Sequence, residues 1–131
     1  LLFRKPGDNA VPIKNDVSNE EWIDWARPVW LDIRETNTLN ERVARDEADE
    51  RHICHLQLDF IERVVRLWSN RDETVFSPFA GIGSEIHTAV RLGRHGLGIE
   101  LKPSYWRTAV GNLRDLDERM ALPALFDEVS P

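Results

Sequence analysis

The chain of 131 residues has one cysteine, one methionine and one tyrosine. A lone cysteine, Cys54, excludes an intrachain disulfide framework, so packing has to hold the fold, and a reducing cytoplasm is the expected compartment. Long apolar runs are missing too. No stretch has the length of a membrane span or the flanks of a signal peptide, and no membrane partner is expected. Positive charge is also scarce: 17 Lys and Arg face 23 Asp and Glu, for a formal net charge of -6. A self-sufficient nucleic-acid binder usually presents the opposite sign to phosphate. If DNA is the partner, other sequence is expected to grip it. What remains is an ordinary globular balance, 41% hydrophobic and 31% charged, in a length that fits one domain.

The chain opens on Leu1-Leu2-Phe3 with no methionine, and this apolar stub running into Arg4-Lys5-Pro6-Gly7 reads as the cut end of a strand. Pro6-Gly7, Asn9 and Pro12 then mark an exposed connection. Ser18-Asn19-Glu20-Glu21 has the form of a helix cap with acids in the first turn, leading through Trp22, Ile23 and Trp25 to a stop at Pro28. Residues 32–50 carry many charges without periodicity, and no element is assigned there. From Leu56 to Trp68 the apolar residues Leu58, Ile61, Val64, Val65 and Trp68 recur at helical spacing.

Thr74-Val75-Phe76 is a short β-forming run. It is followed by a helix through Ile86, Ala89, Val90 and Leu92 closed by Gly93, a second strand from Gly96 to Glu100, and a third helix opened by Pro103 and running through Leu113. Helices alternating with strands predict an α/β fold, a partial Rossmann-like parallel sheet with flanking helices. Three parts are expected: residues 1–50, irregular with a strand stub and a short helix; residues 51–117, a cofactor-binding α/β subdomain; and residues 118–131, a tail.

Chemistry is concentrated in Phe79-Ala80-Gly81-Ile82-Gly83, set after a strand and before a helix. Glycine there admits unusual backbone angles and lets a ligand approach the main chain, while a helix N-terminus favours negative charge. Glu100 ends the next strand roughly 20 residues later, where doubly wound folds place an acid on ribose hydroxyls. Either feature alone is common in turns and strand ends. Together they point to a nucleotide-like cofactor. Ser84-Glu85-Ile86 follows where a nicotinamide fingerprint would carry a third glycine, so that cofactor fits poorly.

The runs Ser77-Pro78-Phe79-Ala80-Gly81-Ile82-Gly83-Ser84-Glu85, Leu92-Gly93-Arg94 and Gly98-Ile99-Glu100-Leu101-Lys102-Pro103-Ser104-Tyr105 closely resemble the C-terminal part of the DNA methyltransferases that modify exocyclic amines of adenine or cytosine. That family reads Asp-Pro-Phe-x-Gly-x-Gly, Leu-Gly-Arg and Gly-Ile-Glu-x-x-x-x-Tyr at this spacing. Residues 52–65 resemble its upstream segment His-Pro-Thr-Gln-Lys-Pro with the helix after it, and residues 3–33 bear a weaker likeness to phage-type members.

The resemblance implies S-adenosylmethionine as cofactor and DNA as the partner of the intact enzyme, in the setting of restriction-modification or a prophage. It implies a cofactor site drawn from Cys54, Phe79, Gly81, Gly83, Ser84, Glu85 and Glu100, with Glu100 on the ribose and residues 52–55, Ser84 and Glu85 near the methionine moiety. Ser77 stands where the family has Asp, and Leu56 where it has the Lys of the upstream segment. The family's catalytic Asp/Asn/Ser-Pro-Pro-aromatic motif, which accepts the amine's hydrogen bonds and stacks a flipped base, has no counterpart, because the chain contains no Pro-Pro pair. In the branch with a C-terminal glycine motif the catalytic motif lies upstream, so a truncated enzyme, inactive alone and with no catalytic residue of its own, is expected. The alternatives are a non-catalytic nucleotide-binding or interaction module, and a methyltransferase acting on RNA or protein.

His52, Cys54 and His55 are too crowded for a zinc pattern and have no evident fourth ligand, so no metal is expected. Trp22, Trp25 and Trp30 are read as core rather than as base-stacking groups. Arg91, Arg94 and His95 suit a solvated helix end at least as well as a phosphate contact. The charged run from Glu41 to Arg51 suits a solvated face or mobile loop.

Overall fold

The computed structural model describes residues 3–14, 16–39 and 55–122. Six elements follow in order: α1 (Asn19–Trp25), α2 (Leu58–Trp68), β1 (Thr74–Ser77), α3 (Ser84–Arg91), β2 (His95–Gly98) and α4 (Pro103–Ala121). Of the apolar stub, Leu1 and Leu2 lie outside the described residues and Phe3 forms no strand; it is 85% exposed. The charged run from Glu41 to Arg51 also lies outside the described residues.

α1 starts as a full capping box. Ser18 Oγ accepts from the Glu21 N–H at 3.1 Å, and Glu21 Oε2 accepts from the Ser18 N–H at 2.8 Å, so two orphan helix donors are satisfied reciprocally. The helix buries none of its residues, and side chains rather than core hold it: the Arg66 guanidinium donates to both carboxylate oxygens of Glu21 at 2.8 Å.

α2 buries Ile61 and Val65 as its spacing predicts, but also Arg63 and Leu67, which helical geometry puts on the far side. Arg63 explains the second face. Its guanidinium lies 5.3 Å from the Trp25 ring and 5.1 Å from the Trp30 ring, and it donates to Asp32. Trp25 and Trp30 therefore sandwich a cation over α2, and Trp22 is 50% exposed; the expected aromatic core is replaced by a stacked, partly wet layer. Neighbouring Arg34 donates to both oxygens of Asp59, and this hydrogen bonding holds the Asp59 carboxyl well below the usual carboxylate range despite the opposing effect of burial.

β1 and β2 form a two-stranded parallel sheet in the register Thr74↔His95, Val75↔Gly96, Phe76↔Leu97 and Ser77↔Gly98. The crossover is α3, which packs on both strands. Gly93, at φ 74, ends it: Gly93 N–H reaches Val90 O at 2.9 Å and Arg94 N–H reaches Ala89 O at 2.9 Å, the paired bonds of a Schellman stop. The β2 glycines serve packing, since a Cβ on Gly96 would meet Ile86 Cγ2 at 2.4 Å and one on Gly98 would meet Ala80 Cβ at 2.8 Å. α4 starts on Pro103 and runs 19 residues to Ala121, well beyond Leu113 and past the boundary expected at 117.

Arg94 has no phosphate-facing role. Its side chain is fully buried and donates to Asp16 Oδ1 and Oδ2, Ser69 Oγ, Ser69 O and Leu92 O. Burial pushes Asp16 up, yet its hydrogen bonds and attraction to Arg94 outweigh this and leave its carboxyl below the ordinary value. This bridge fastens the N-terminal segment to the start of β2. Arg91 instead pairs with Glu62 at 2.7 Å, and His95 is exposed.

Candidate functional site

The glycine turn joins β1 to α3 at the C-terminal end of the sheet. Two of its glycines are left-handed, Gly81 at φ 55 and Gly83 at φ 86, angles that side chains rarely adopt. Their surroundings differ. A Cβ on Gly81 would meet nothing within 4 Å, whereas one on Gly83 would stand 3.1 Å from Ala109 Cβ. Gly81 thus faces open space, and Gly83 lets α4 approach the turn. Between them Ile82 is 1% exposed, and Asn112 Nδ2 of α4 donates to its carbonyl at 2.9 Å.

Glu100 closes the arrangement. The Gly81 N–H donates to its Oε2 and the Lys102 N–H to its Oε1, each at 2.8 Å, while the Ala80 N–H reaches Ile99 O at 2.9 Å. The acid after β2 is thereby bonded to the turn after β1. Each carboxylate oxygen has a second acceptor site in addition. Lys102 Nζ lies 4.5 Å from the centre of the Tyr105 ring, so the next turn packs a cation on an aromatic face.

α3 begins with no side-chain cap on Gly83, so its first turn presents backbone donors, with Glu85 as the only acid there. Phe79 is 86% exposed beside the turn, and Ser84 is buried at 3% exposure. The structure therefore brings Phe79, Gly81, Gly83, Ser84, Glu85 and Glu100 into one neighbourhood. Cys54 and His52 lie outside the described residues, and His55 is half-buried ahead of α2. Asn112, Ala109 and the Lys102 N–H escaped the sequence reading. Asn112 had one signal, a polar residue three positions after an apolar one on a helix, which is too common to single out.

Residues 3–111 match the DNA methylase family, the N6/N4 class, and the chain belongs to that family. It is 28% identical over 105 residues to the type II methyltransferase M.BglI of Bacillus subtilis, covering 79% of this chain and 27% of that protein. It is 42% identical over 53 residues to M.ScaI of Streptomyces caespitosus, covering 40% of this chain and 17% of that one. Among solved structures it resembles TTHA0409 of Thermus thermophilus, named as a DNA modification methylase and crystallised with S-adenosyl-L-methionine, with a TM-score of 0.65 and 28% identity over 86% of this chain and 41% of the other. The α/β methyltransferase fold read from the sequence stands. The chain spans well under half the length of each of these relatives.

Proposed function

We propose that this chain is the cofactor-holding part of an S-adenosylmethionine-dependent DNA methyltransferase that modifies the exocyclic amine of adenine or cytosine. The observation that carries the reading is the 2.8 Å bond from the Gly81 N–H to Glu100 Oε2. It ties an acid at one strand end to a glycine turn at the next, at the edge where open α/β sheets bind ligands.

The residues fit this cofactor. Gly81 leaves room for a ligand against the main chain, and the two oxygens of Glu100 offer the paired acceptors that a ribose diol needs. The exposed Phe79 ring supplies apolar area beside the turn. Ser84 and Glu85, in the first turn of α3, suit the amino-acid end, with Cys54 completing the set by the family resemblance. When bound, S-adenosylmethionine supplies a methyl group on a positively charged sulfur. In this reading these residues bind and orient the cofactor, and none of them is assigned the proton of the amine.

Transfer therefore requires residues that this sequence does not contain, in keeping with its lack of a Pro-Pro pair, and the chain alone binds without turnover. DNA is the partner in this reading, its phosphates met by sequence other than this acidic chain. The likeness to type II enzymes favours site-specific modification in the cytoplasm. Among the described residues no helix is long and apolar enough to cross a membrane.

Calorimetric titration of S-adenosylmethionine, and separately of NAD, into this chain and into a Gly81→Asp, Glu100→Ala variant tests the reading. Saturable binding of the methyl donor alone, lost in the variant, is expected. A folded chain that binds neither ligand refutes it and favours a non-catalytic interaction module.

A further inference from the structure

Helical spacing sets Ala109, Asn112 and Leu116 of α4 on one stripe. Ala109 and Leu116 are buried, so half-buried Asn112 is a polar side chain on the packed side of the helix. An amide in such a place is costly unless it is bonded, and its partner shows what it does. Asn112 Nδ2 donates at 2.9 Å to the carbonyl of Ile82, which lies between the two left-handed glycines Gly81 and Gly83. A carbonyl only accepts, so the donor end of the amide has to face it.

The turn needs such a hold. Glycine takes either sign of φ with similar ease, so the same residues that open space for a ligand also leave the turn free to adopt other shapes. The peptide joining Ile82 to Gly83 is fixed at both ends: its N–H donates to Ala80 O at 2.8 Å, and its C=O accepts from Asn112. The first bond lies within the turn and moves with it, whereas the second ties the turn to a helix of 19 residues. Ala109 brings that helix within reach, its Cβ standing 3.1 Å from the place of a Cβ on Gly83. The Gly83 carbonyl accepts from the His87 N–H at 2.8 Å, so the orientation of this stretch also sets where the first-turn donors of α3 point.

We infer that Asn112 is a positioning residue for the cofactor. Acting through the Ile82 carbonyl rather than on the ligand, it holds the glycine turn, before any ligand arrives, in the shape that leaves space beside Gly81 and aims the start of α3. Such preorganisation adds affinity by removing an ordering cost from binding. The inference rests on the S-adenosylmethionine reading of the turn and adds to it a residue from a helix outside the turn.

Asn112→Asp keeps the shape of the side chain but turns a carboxylate oxygen toward the Ile82 carbonyl. Calorimetry at neutral pH should show S-adenosylmethionine affinity roughly tenfold below that of the parent chain. A carboxyl facing a carbonyl has a raised pKa, and once protonated it donates an O–H in place of the amide; in mildly acidic buffer the deficit should shrink to about threefold. Each comparison is made against the parent at the same pH, so that titration of Glu100 cancels. Leu116→Ala, one turn further along α4, should lower stability in urea yet leave affinity within about twofold, with every chain measured where it is fully folded. In cofactor-free protein, Asn112→Asp should quicken amide exchange at Gly83 by more than its loss of global stability accounts for. Parent-like affinity in Asn112→Asp, a deficit that pH leaves unchanged, or an equal loss in Leu116→Ala overturns the inference. A parent chain that binds no S-adenosylmethionine overturns the functional reading instead, and exchange at Gly83 then still decides whether Asn112 holds the turn: unchanged exchange overturns that hold as well.

Discussion

Alanine at Gly96 tests how closely the sheet carries α3. A Cβ there would stand 2.4 Å from Ile86 Cγ2, 3.2 Å from Ile86 O and 3.3 Å from Ile86 Cα. A new rotamer of Ile86 can move the methyl, but the other two atoms are helix backbone, so α3 has to retreat by a few tenths of an ångström. Overpacking of this kind costs about 1–3 kcal/mol, and the stiffer unfolded chain offsets about 0.4–1 kcal/mol of that. The net loss should be about 1–2 kcal/mol, a melting temperature lower by roughly 5 °C. Gly111→Ala is the matched control: a Cβ there meets nothing within 4 Å, in the interior of α4, so it should gain about 0.5–1 kcal/mol. Urea denaturation with an unchanged slope measures both. Ile86→Ala in the Gly96→Ala background removes the colliding methyl, so the double variant should be less destabilised than the two single losses added together. A Gly96→Ala chain as stable as its parent, or strict additivity in the double variant, would refute the packing of α3 on β2.

Three further outcomes follow from the geometry. Glu100→Gln keeps one acceptor oxygen but turns an amide donor toward a backbone N–H, and Glu100→Ala removes both acceptors; since bonds to a charged group contribute about 1.5–3 kcal/mol, calorimetry should show S-adenosylmethionine affinity falling roughly tenfold for Gln and further for Ala. Burial, and then the charges of Arg91 and Arg119, hold the His87 imidazole below its ordinary pKa of 6.5; the folded form favours neutral His87, so this contribution to stability is full above 6.5 and is lost as pH falls below it, and His87→Gln should flatten that part of a stability-versus-pH series. Arg94→Ala removes the buried guanidinium from Ser69 Oγ, Ser69 O and Leu92 O and leaves Asp16 with its longer contacts to Arg66 at 3.6 Å and Arg71 at 3.4 Å; the loss should be about 1–3 kcal/mol, with Arg94→Lys intermediate because an ammonium cannot reproduce the planar fork, as read by chemical denaturation.

Much of the fold was legible because it is written in local signals. Ser18 with Glu21 spelled a capping box, Gly93 a helix stop and Pro103 a helix start, and each acts within a turn or so of itself. What escaped depends on partners distant in sequence. Arg63 carries a charge at a position where helical periodicity predicts solvent, yet Trp25, Trp30 and Asp32 bury it. Arg94 looked like one of three surface cations until Asp16, 78 residues earlier, supplied its partner. The packing role of Gly96 and Gly98 could not be read locally either, because nothing near them in sequence announces that Ile86 will occupy the space over them.

The site shows the same division, and its two acidic positions show why. The family's Asp at the end of β1 is replaced by Ser77, which is buried at 8% exposure. A carboxylate at that depth would need its own partners, whereas a hydroxyl adds no charge to the strand end. Glu100 is then left as the acid that organises the turn, through Gly81 and Lys102. The ribose role proposed for it rests on spacing, whereas its hold on the turn was not readable there, because that depends on Gly81 turning its N–H toward the neighbouring strand at φ 55. If one carboxylate both shapes the turn and receives the ribose, loop order and cofactor affinity are coupled through it. Glu100→Ala should then speed amide exchange at Gly81 and Ile82 even without cofactor, an effect that a purely ligand-contacting acid would not produce.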